Sequence, residues 1–231
     1  MAASSSSRDD FSGTDDLLGT IDPASSSSPS SSSGVEMLKR AWRNEKAAPE
    51  ILQYEEELVE TFREQIRSRE DIIDNYSGGG TEDLMLSLFR MDLDRTLFIL
   101  RSYLRIRLQK IEKHVFHICK SNLWNRLSKT EQNFATRCTD ILEKHLEQSV
   151  LGKLPYGYQS ILKQSISSED IDMVPEPRLD TFVFCKSRDS IGSFQLDDYG
   201  EEIVDLVADD LYILRYKSIK ALVENGRIDL L

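Results

Sequence analysis

His114 and His117 stand three residues apart in the run His114-Val-Phe-His117-Ile-Cys119, with Cys138 and His145 further along the chain. On a helix two imidazoles at this spacing share a face, so they could begin a metal site that a thiolate completes. Cys119 falls on another side of the same helix and no Cys-x-x-Cys accompanies it, so the pattern fits a structural histidine pair, and no metal is expected. Ser160-Ile-Leu-Lys163 has the spacing with which a lysine serves a serine nucleophile, but the companion motifs of such hydrolases are missing. Gly78, Gly79 and Gly80 precede Thr81, Glu82 and Asp83 rather than the Lys-Ser/Thr of a phosphate loop, and the two acids would repel an anion there. No catalytic residue and no cofactor is expected. A small metal-dependent or hydrolytic enzyme using His114 and His117 stands as the alternative.

The chain's most unusual passage is RSYLRIRLQKIEK, residues 101–113, which crowds basic residues between large apolar ones in a protein of net charge -11. Arg95, Arg101, Arg105, Arg107, Lys110 and Lys113 face one acid, Glu112, between positions 95 and 113. At about 100° per residue, Leu97, Leu100, Leu104, Leu108, Ile111, Val115 and Ile118 form one stripe, which is expected to be the core face of a long helix. Ile99, Tyr103 and Ile106 form a second apolar cluster, roughly 135° further round. Arg107 and Lys110 lie beside this cluster, with Arg101 and Arg105 on the remaining side. Two apolar faces suit a helix packed on its own neighbours and also on another chain. The competing assignment is a central helix whose basic groups meet the acid-rich segment YEEELVETFREQ, residues 54–65, or water. A membrane-surface helix would show one polar face instead of two apolar ones.

The elements that hold these residues are largely helical. After Gly34 the pattern places Met37, Leu38 and Trp42 on one face; Ile51, Leu52, Leu58, Val59, Phe62, Ile66 and Ile73 follow Pro49. The glycines break the run. Thr81 then caps a helix that extends to about Lys120, another covers Ser128 to about Val150, and a short one follows Pro155. Residues 35–163 thus read as an all-helical domain. Residues 164–178 are polar, contain Pro175 and Pro177, and read as a linker. From 179 to 231 the texture is that of short strands: TFVFCKS, IGSFQL, EEIVDLV, LYILRY and RIDLL, with SIKALVENG a short helix between the last two. So small a β-rich domain needs something to dock on, and Tyr212, Leu214, Tyr216, Ile228 and Leu230 are the residues expected to do so. The fold class is α+β, a helical bundle followed by a small β-rich domain.

Residues 1–34 are serine-rich and acidic, with too little apolar surface to offset the entropy of ordering, and are expected to be a disordered tail. Cys119, Cys138 and Cys185 are odd in number and far apart, as suits reduced thiols inside a cell. No apolar run reaches the roughly 18–20 residues of a membrane span. An acidic balance argues against strong nucleic-acid affinity, which needs positive charge to displace counterions, so an autonomous DNA-binding helical module is the weaker alternative.

Four blocks carry a family resemblance: AWRNEKAAPEIL (41–52), RTLFILRSYLRIRLQKIEK (95–113), MVPEPRLDTFVF (173–184) and LYILRYKSIKALVENGRIDLL (211–231). In this order they resemble the Sld-five subunit family of the GINS complex, a heterotetramer of the eukaryotic replication fork. The resemblance implies a helical domain followed by a β-rich domain, a nuclear and non-enzymatic role, and three sibling subunits as partners. It also implies assembly with the Mcm motor ring and its companion Cdc protein into the replicative helicase. On this basis Ile99, Tyr103, Ile106, Arg101, Arg105, Arg107 and Lys110 are expected to face siblings. In the tail, Asp15, Asp16, Leu17, Leu18 and Ile21 are similar to the Asp-Asp-Ile-Leu-x-x-Leu anchor with which some family members grip a trimeric replisome hub; Gly19 and Ile21 depart from it.

Overall fold

Four helices make the first part of the fold, and each begins or ends where local chemistry favours it. Helix α1 (Gly34–Ala47) carries Glu36 in its first turn and Lys46 in its last, complementing the helix dipole. It stops just ahead of Pro49, whose ring disfavours helical geometry in the residue before it. Helix α2 (Glu56–Asn75) opens on Glu56 and Glu57 and buries Val59, Phe62, Ile66 and Ile73, one stripe at helical spacing. Helix α3 (Thr81–Lys120) is the spine, about 60 Å long at 1.5 Å per residue. Its backbone leaves helical geometry at His114. A 3-10 turn, Asn122–Arg126, leads to α4 (Lys129–Ser149). Ser128 and Glu131 close α4's first turn with a reciprocal capping box, two otherwise orphaned N–H groups finding partners at once.

The computed structural model describes residues 34–75, 81–168, 173–196 and 203–231. The head, including the Asp15, Asp16, Leu17, Leu18 and Ile21 motif, and Gly78 to Gly80 lie outside them. The short helix expected directly after Pro155 does not form among the described residues: beyond the 3-10 turn Leu151–Lys153 the chain bends, and Gly157 sits at φ +101°, a conformation a side chain would disfavour. No helix of the described residues is long and apolar enough to cross a membrane.

The second part holds β1 (Phe182–Ser187), β2 (Gly192–Gln195), β3 (Ile203–Leu206), β4 (Leu211–Arg215), α5 (Tyr216–Glu224) and β5 (Ile228–Leu230). Strands β4, β1 and β5 form one antiparallel sheet in that order, and β2 pairs with β3 in a separate hairpin. The inward face of the larger sheet packs Val183, Cys185, Leu214, Ile228 and Leu230 against Ile219, Leu222 and Val223 of α5. Burial in this apolar layer pushes the Cys185 thiol up to about 11, so it acts as a small core side chain. The same cluster takes in Ala48, Ala47 and Leu52, so the sheet rests on the end of α1 and the segment after it. Of the residues expected to dock this part, Leu214, Tyr216, Ile228 and Leu230 are buried there and Tyr212 is half-buried. The architecture is a helical bundle followed by a small antiparallel-sheet region.

Candidate subunit interface and the charge cluster behind it

Helix α3 turns toward its neighbours a face that shares Leu100, Ile111, Val115 and Ile118 with the expected stripe and departs from it elsewhere. Leu93, Thr96, Leu100, Tyr103, Arg107, Ile111, His114 and Ile118 are buried, at spacings of three and four residues. Leu97 and Leu104 are only half-buried, and Leu108 is exposed. The core face is therefore the expected stripe shifted round to take in Thr96, Tyr103, Arg107 and His114 and to release Leu108. Tyr103 lies in the cluster with Leu38, Phe62 and Leu100, and its hydroxyl accepts from the Glu55 amide at 3.4 Å.

Arg107 is wholly inaccessible, 0% exposed. All five of its N–H groups are used. Nε donates to Glu131 Oε1 at 2.8 Å, and Nη2 to Glu131 Oε2 at 3.1 Å and to the Arg126 carbonyl at 3.0 Å. Nη1 donates to Glu45 Oε2 at 2.9 Å and to the Leu52 carbonyl at 2.8 Å. Tyr54 and Tyr103 flank the guanidinium, with ring centroids 5.2 and 5.7 Å from it. Burial alone would lower its pKa, but the two carboxylates more than compensate and raise it above the ordinary value. Lys110 completes a neutral set: its Nζ donates to Glu45 Oε1 at 2.8 Å, and to the carbonyls of Glu45 at 2.5 Å and Glu50 at 2.8 Å. Here burial outweighs Glu45, and the ammonium pKa is lowered.

Three of the seven residues expected at a partner surface are thus corrected. Tyr103, Arg107 and Lys110 belong to the chain's own interior, where two positive and two negative groups neutralise each other and tie α1, α3 and α4 together. Arg101 and Arg105 are exposed, while Ile99 and Ile106 are half-buried, Ile99 against the cluster that α1 and α2 share with α3. The acids that meet Arg107 come from α1 and α4, not from residues 54–65.

The unpartnered apolar surface lies nearer the start of α3. Leu84, Met85, Leu88, Phe89 and Met91 are exposed, and Phe98 is 64% exposed one to two turns on. Arg69 on α2 pairs with Asp92 at 2.7 Å, fixing this end of the α2–α3 hairpin. A helix apolar on several sides is one that other elements surround. The density of apolar residues from 84 to 91 is the signal that could have pointed to this surface.

A second ionic group fastens the sheet-bearing part to the helices. Glu50, 3% exposed, accepts from the Tyr216 hydroxyl at 3.1 Å and from Lys220 Nζ at 2.9 Å, and Arg126 Nη1 lies 3.4 Å away. Arg126 also donates to Glu224 at 2.5 Å, and the Leu230 amide donates to Asn44 Oδ1 at 2.7 Å. Glu50 and burial together push the Tyr216 phenol up, burial being the larger cause.

The histidines have structural surroundings. His114 Nδ1 donates to the Pro175 carbonyl at 3.0 Å, and His117 Nδ1 lies 3.5 Å from Glu176 Oε1, so both engage the segment that leads to the sheet. Cys119 Sγ is 3.8 Å from Thr139 Oγ1. Among the described residues no three His, Cys, Asp or Glu side chains gather as a metal site. Ser160 Oγ accepts from the amides of Leu162 and Lys163, while Lys163 Nζ donates to the Ser168 carbonyl, so that pair is not arranged as nucleophile and base.

Two family models match: the GINS complex protein helical bundle domain over residues 53–150, and the DNA replication complex GINS protein SLD5 C-terminus over residues 177–231. Among curated relatives, the DNA replication complex GINS protein SLD5 of Arabidopsis thaliana is 55% identical over 202 residues, covering 86% of this chain and 91% of that protein. The proteins of the same name from Dictyostelium discoideum and Homo sapiens are 30% and 31% identical, covering 85% of this chain in each case and 91% and 88% of theirs. With both parts of the fold matched in order and with such coverage, this chain belongs to the SLD5 family of GINS proteins and is a GINS subunit implicated in DNA replication.

Proposed function

We propose that this chain is a non-enzymatic structural subunit of a nuclear GINS heterotetramer, and through it of the replicative helicase that contains the Mcm motor ring and its companion Cdc protein. The observation that carries this assignment is the apolar end of the α2–α3 hairpin, where Leu84, Leu88, Met91 and Phe98 meet water in the single chain. Covering such side chains is worth roughly 1.5–3 kcal/mol each, a drive toward association with other helices. Arg101 and Arg105, exposed further along α3, favour siblings with acids at the corresponding positions.

Co-expression with the three sibling subunits tests this. A stable complex containing one copy of each is the expected product; a chain that stays monomeric beside them would contradict the assignment. The head adds a contact of its own: Asp15, Asp16, Leu17, Leu18 and Ile21 engage a trimeric replisome hub. Fluorescence anisotropy with a peptide of residues 9–24 should show binding that substitution of Leu17, Leu18 and Ile21 by Ala removes. Equal binding of the two peptides would dispose of the anchor.

A further inference from the structure

The three-stranded sheet uses one of its faces and leaves the other bare. On the outer face Phe182, Phe184, Leu211 and Ile213 are between 58% and 68% exposed. The register sets Phe184 opposite Ile213, Phe182 opposite Arg215 and Lys186 opposite Leu211, so the apolar side chains form one patch between two basic ones, of which Lys186 pairs with Asp209 at 2.8 Å. Arg215 lies at its end, 5.5 Å from the Phe182 ring centroid, and no carboxylate pairs with it among the described residues.

The edges of the sheet differ in the same way. At β5 the Leu230 amide donates to Asn44 Oδ1, so α1 covers that side. Strand β4 is the other edge, and among the described residues it pairs with β1 alone. The Asp210 carbonyl accepts from the Ser187 amide at 3.2 Å, and the Tyr216 amide donates to the Thr181 carbonyl at 2.9 Å. Antiparallel alternation from those two bonds aims the backbone groups of Tyr212 and Leu214 at β1 and those of Leu211 and Ile213 away from it. The two residues that extend the apolar patch therefore also present backbone donors and acceptors that no strand among the described residues bonds. A strand edge left open in this way, with no lysine, proline or bulge to blunt it, is a template for another strand.

We propose that β4 receives an extended segment of another protein chain as a fourth strand, its alternate apolar side chains covering Phe184, Leu211 and Ile213 and a carboxylate meeting Arg215. The occupant is a segment of another subunit of the replication complex, which rests on the structural role proposed above. A helix laid on the patch would desolvate the outward N–H and C=O groups of β4 without bonding them, a cost that a strand avoids. A second copy of β4, paired antiparallel about Ile213, would set Arg215 opposite Leu211 and leave the guanidinium without an acid.

Hydrogen exchange at single-residue resolution tests this on the full chain, alone and in the co-expressed complex. The Leu211 and Ile213 amides should exchange at least about 10-fold more slowly in the complex, while Tyr212 and Leu214, bonded to β1 in both, change far less. Ile213→Pro removes one outward N–H and spares the β1 ladder, so it should weaken incorporation about 10-fold while Tyr212 and Leu214 stay protected. A complex that forms with Leu211 and Ile213 exchanging as in the free chain overturns the strand proposal and leaves the subunit role standing. No complex at all overturns both. Concentration-dependent dimers of the chain alone, with the same amides protected, would assign the edge to a second copy and overturn the proposed occupant.

Discussion

Replacing Arg107 by methionine is the perturbation that most clearly separates an interior arginine from a partner-facing one. The side chain is fully buried, and its loss leaves Glu131, 7% exposed, with no other ion-pair partner among the described residues, while Glu45 retains Lys110. It also strips donors from the Leu52 and Arg126 carbonyls. Breaking a buried ion pair by removing one partner costs about 3–5 kcal/mol, because the charge left behind is not rehydrated. For a chain of this size that corresponds to a fall in Tm of roughly 6–20 °C. Adding Glu131→Gln to the variant removes the stranded charge and keeps a side-chain acceptor for the Ser128 amide, so it should restore part of the loss. Differential scanning calorimetry on the full chain, with Arg105→Met as the exposed control, measures all three. If Arg107→Met costs no more than Arg105→Met, within about 0.5 kcal/mol, the neutral cluster is not what holds α1, α3 and α4 together.

Glu50→Ala should loosen the sheet-bearing part, costing about 1–3 kcal/mol because Lys220 and Arg126 keep partial access to water; faster amide exchange in β1 and β5 with α2 unchanged is the expected pattern, and uniform exchange would argue against a local clamp. Burial, against the Pro175 hydrogen bond and aided by Lys113, His117 and Lys110, holds the His114 imidazole below its ordinary 6.5, so the fold favours the neutral ring. Its contribution is complete above that value and is lost as pH falls through it toward the lower folded pKa; His114→Gln should flatten this part of the stability–pH curve, and an unchanged slope would exclude His114 as its source.

The helices were legible because their signals are local. Ser128 with Glu131 marks the start of α4 three residues apart, Pro49 bounds α1, and alternation in TFVFCKS and LYILRY marks β1 and β4. The buried side of α3 was legible only in part: Leu100, Ile111, Val115 and Ile118 are buried as the stripe requires, but Tyr103 and Arg107 are buried beside them. A leucine-based stripe cannot register a buried arginine, because the carboxylates that balance the charge of Arg107 inside the fold lie 62 and 24 residues away on other helices. Spacing grouped Tyr103 with Ile99 and Ile106 and set Arg107 and Lys110 beside them as surface, while the stripe kept Leu108 on the core side although it is exposed. The expected helix after Pro155 failed for a local reason, the turn at Gly157. The docking residues of the last strands were accessible from alternation, but their supports, Asn44 and Glu50, sit in a distant part of the chain.

The structural role itself is tested most directly by the intact mass of the assembly recovered when wild type, or the double variant Leu88→Asp with Phe98→Asp, is co-expressed with the three sibling subunits. Both side chains are exposed, so the variant should keep the helical circular-dichroism spectrum and Tm of the wild-type chain. Wild type should yield a four-chain complex with one copy of each subunit, and the variant should yield none that contains it, since charge in a covered apolar surface is costly. A four-chain complex formed equally well by the variant would contradict assembly through the α2–α3 hairpin, and a wild-type chain recovered only as a monomer would contradict the structural role.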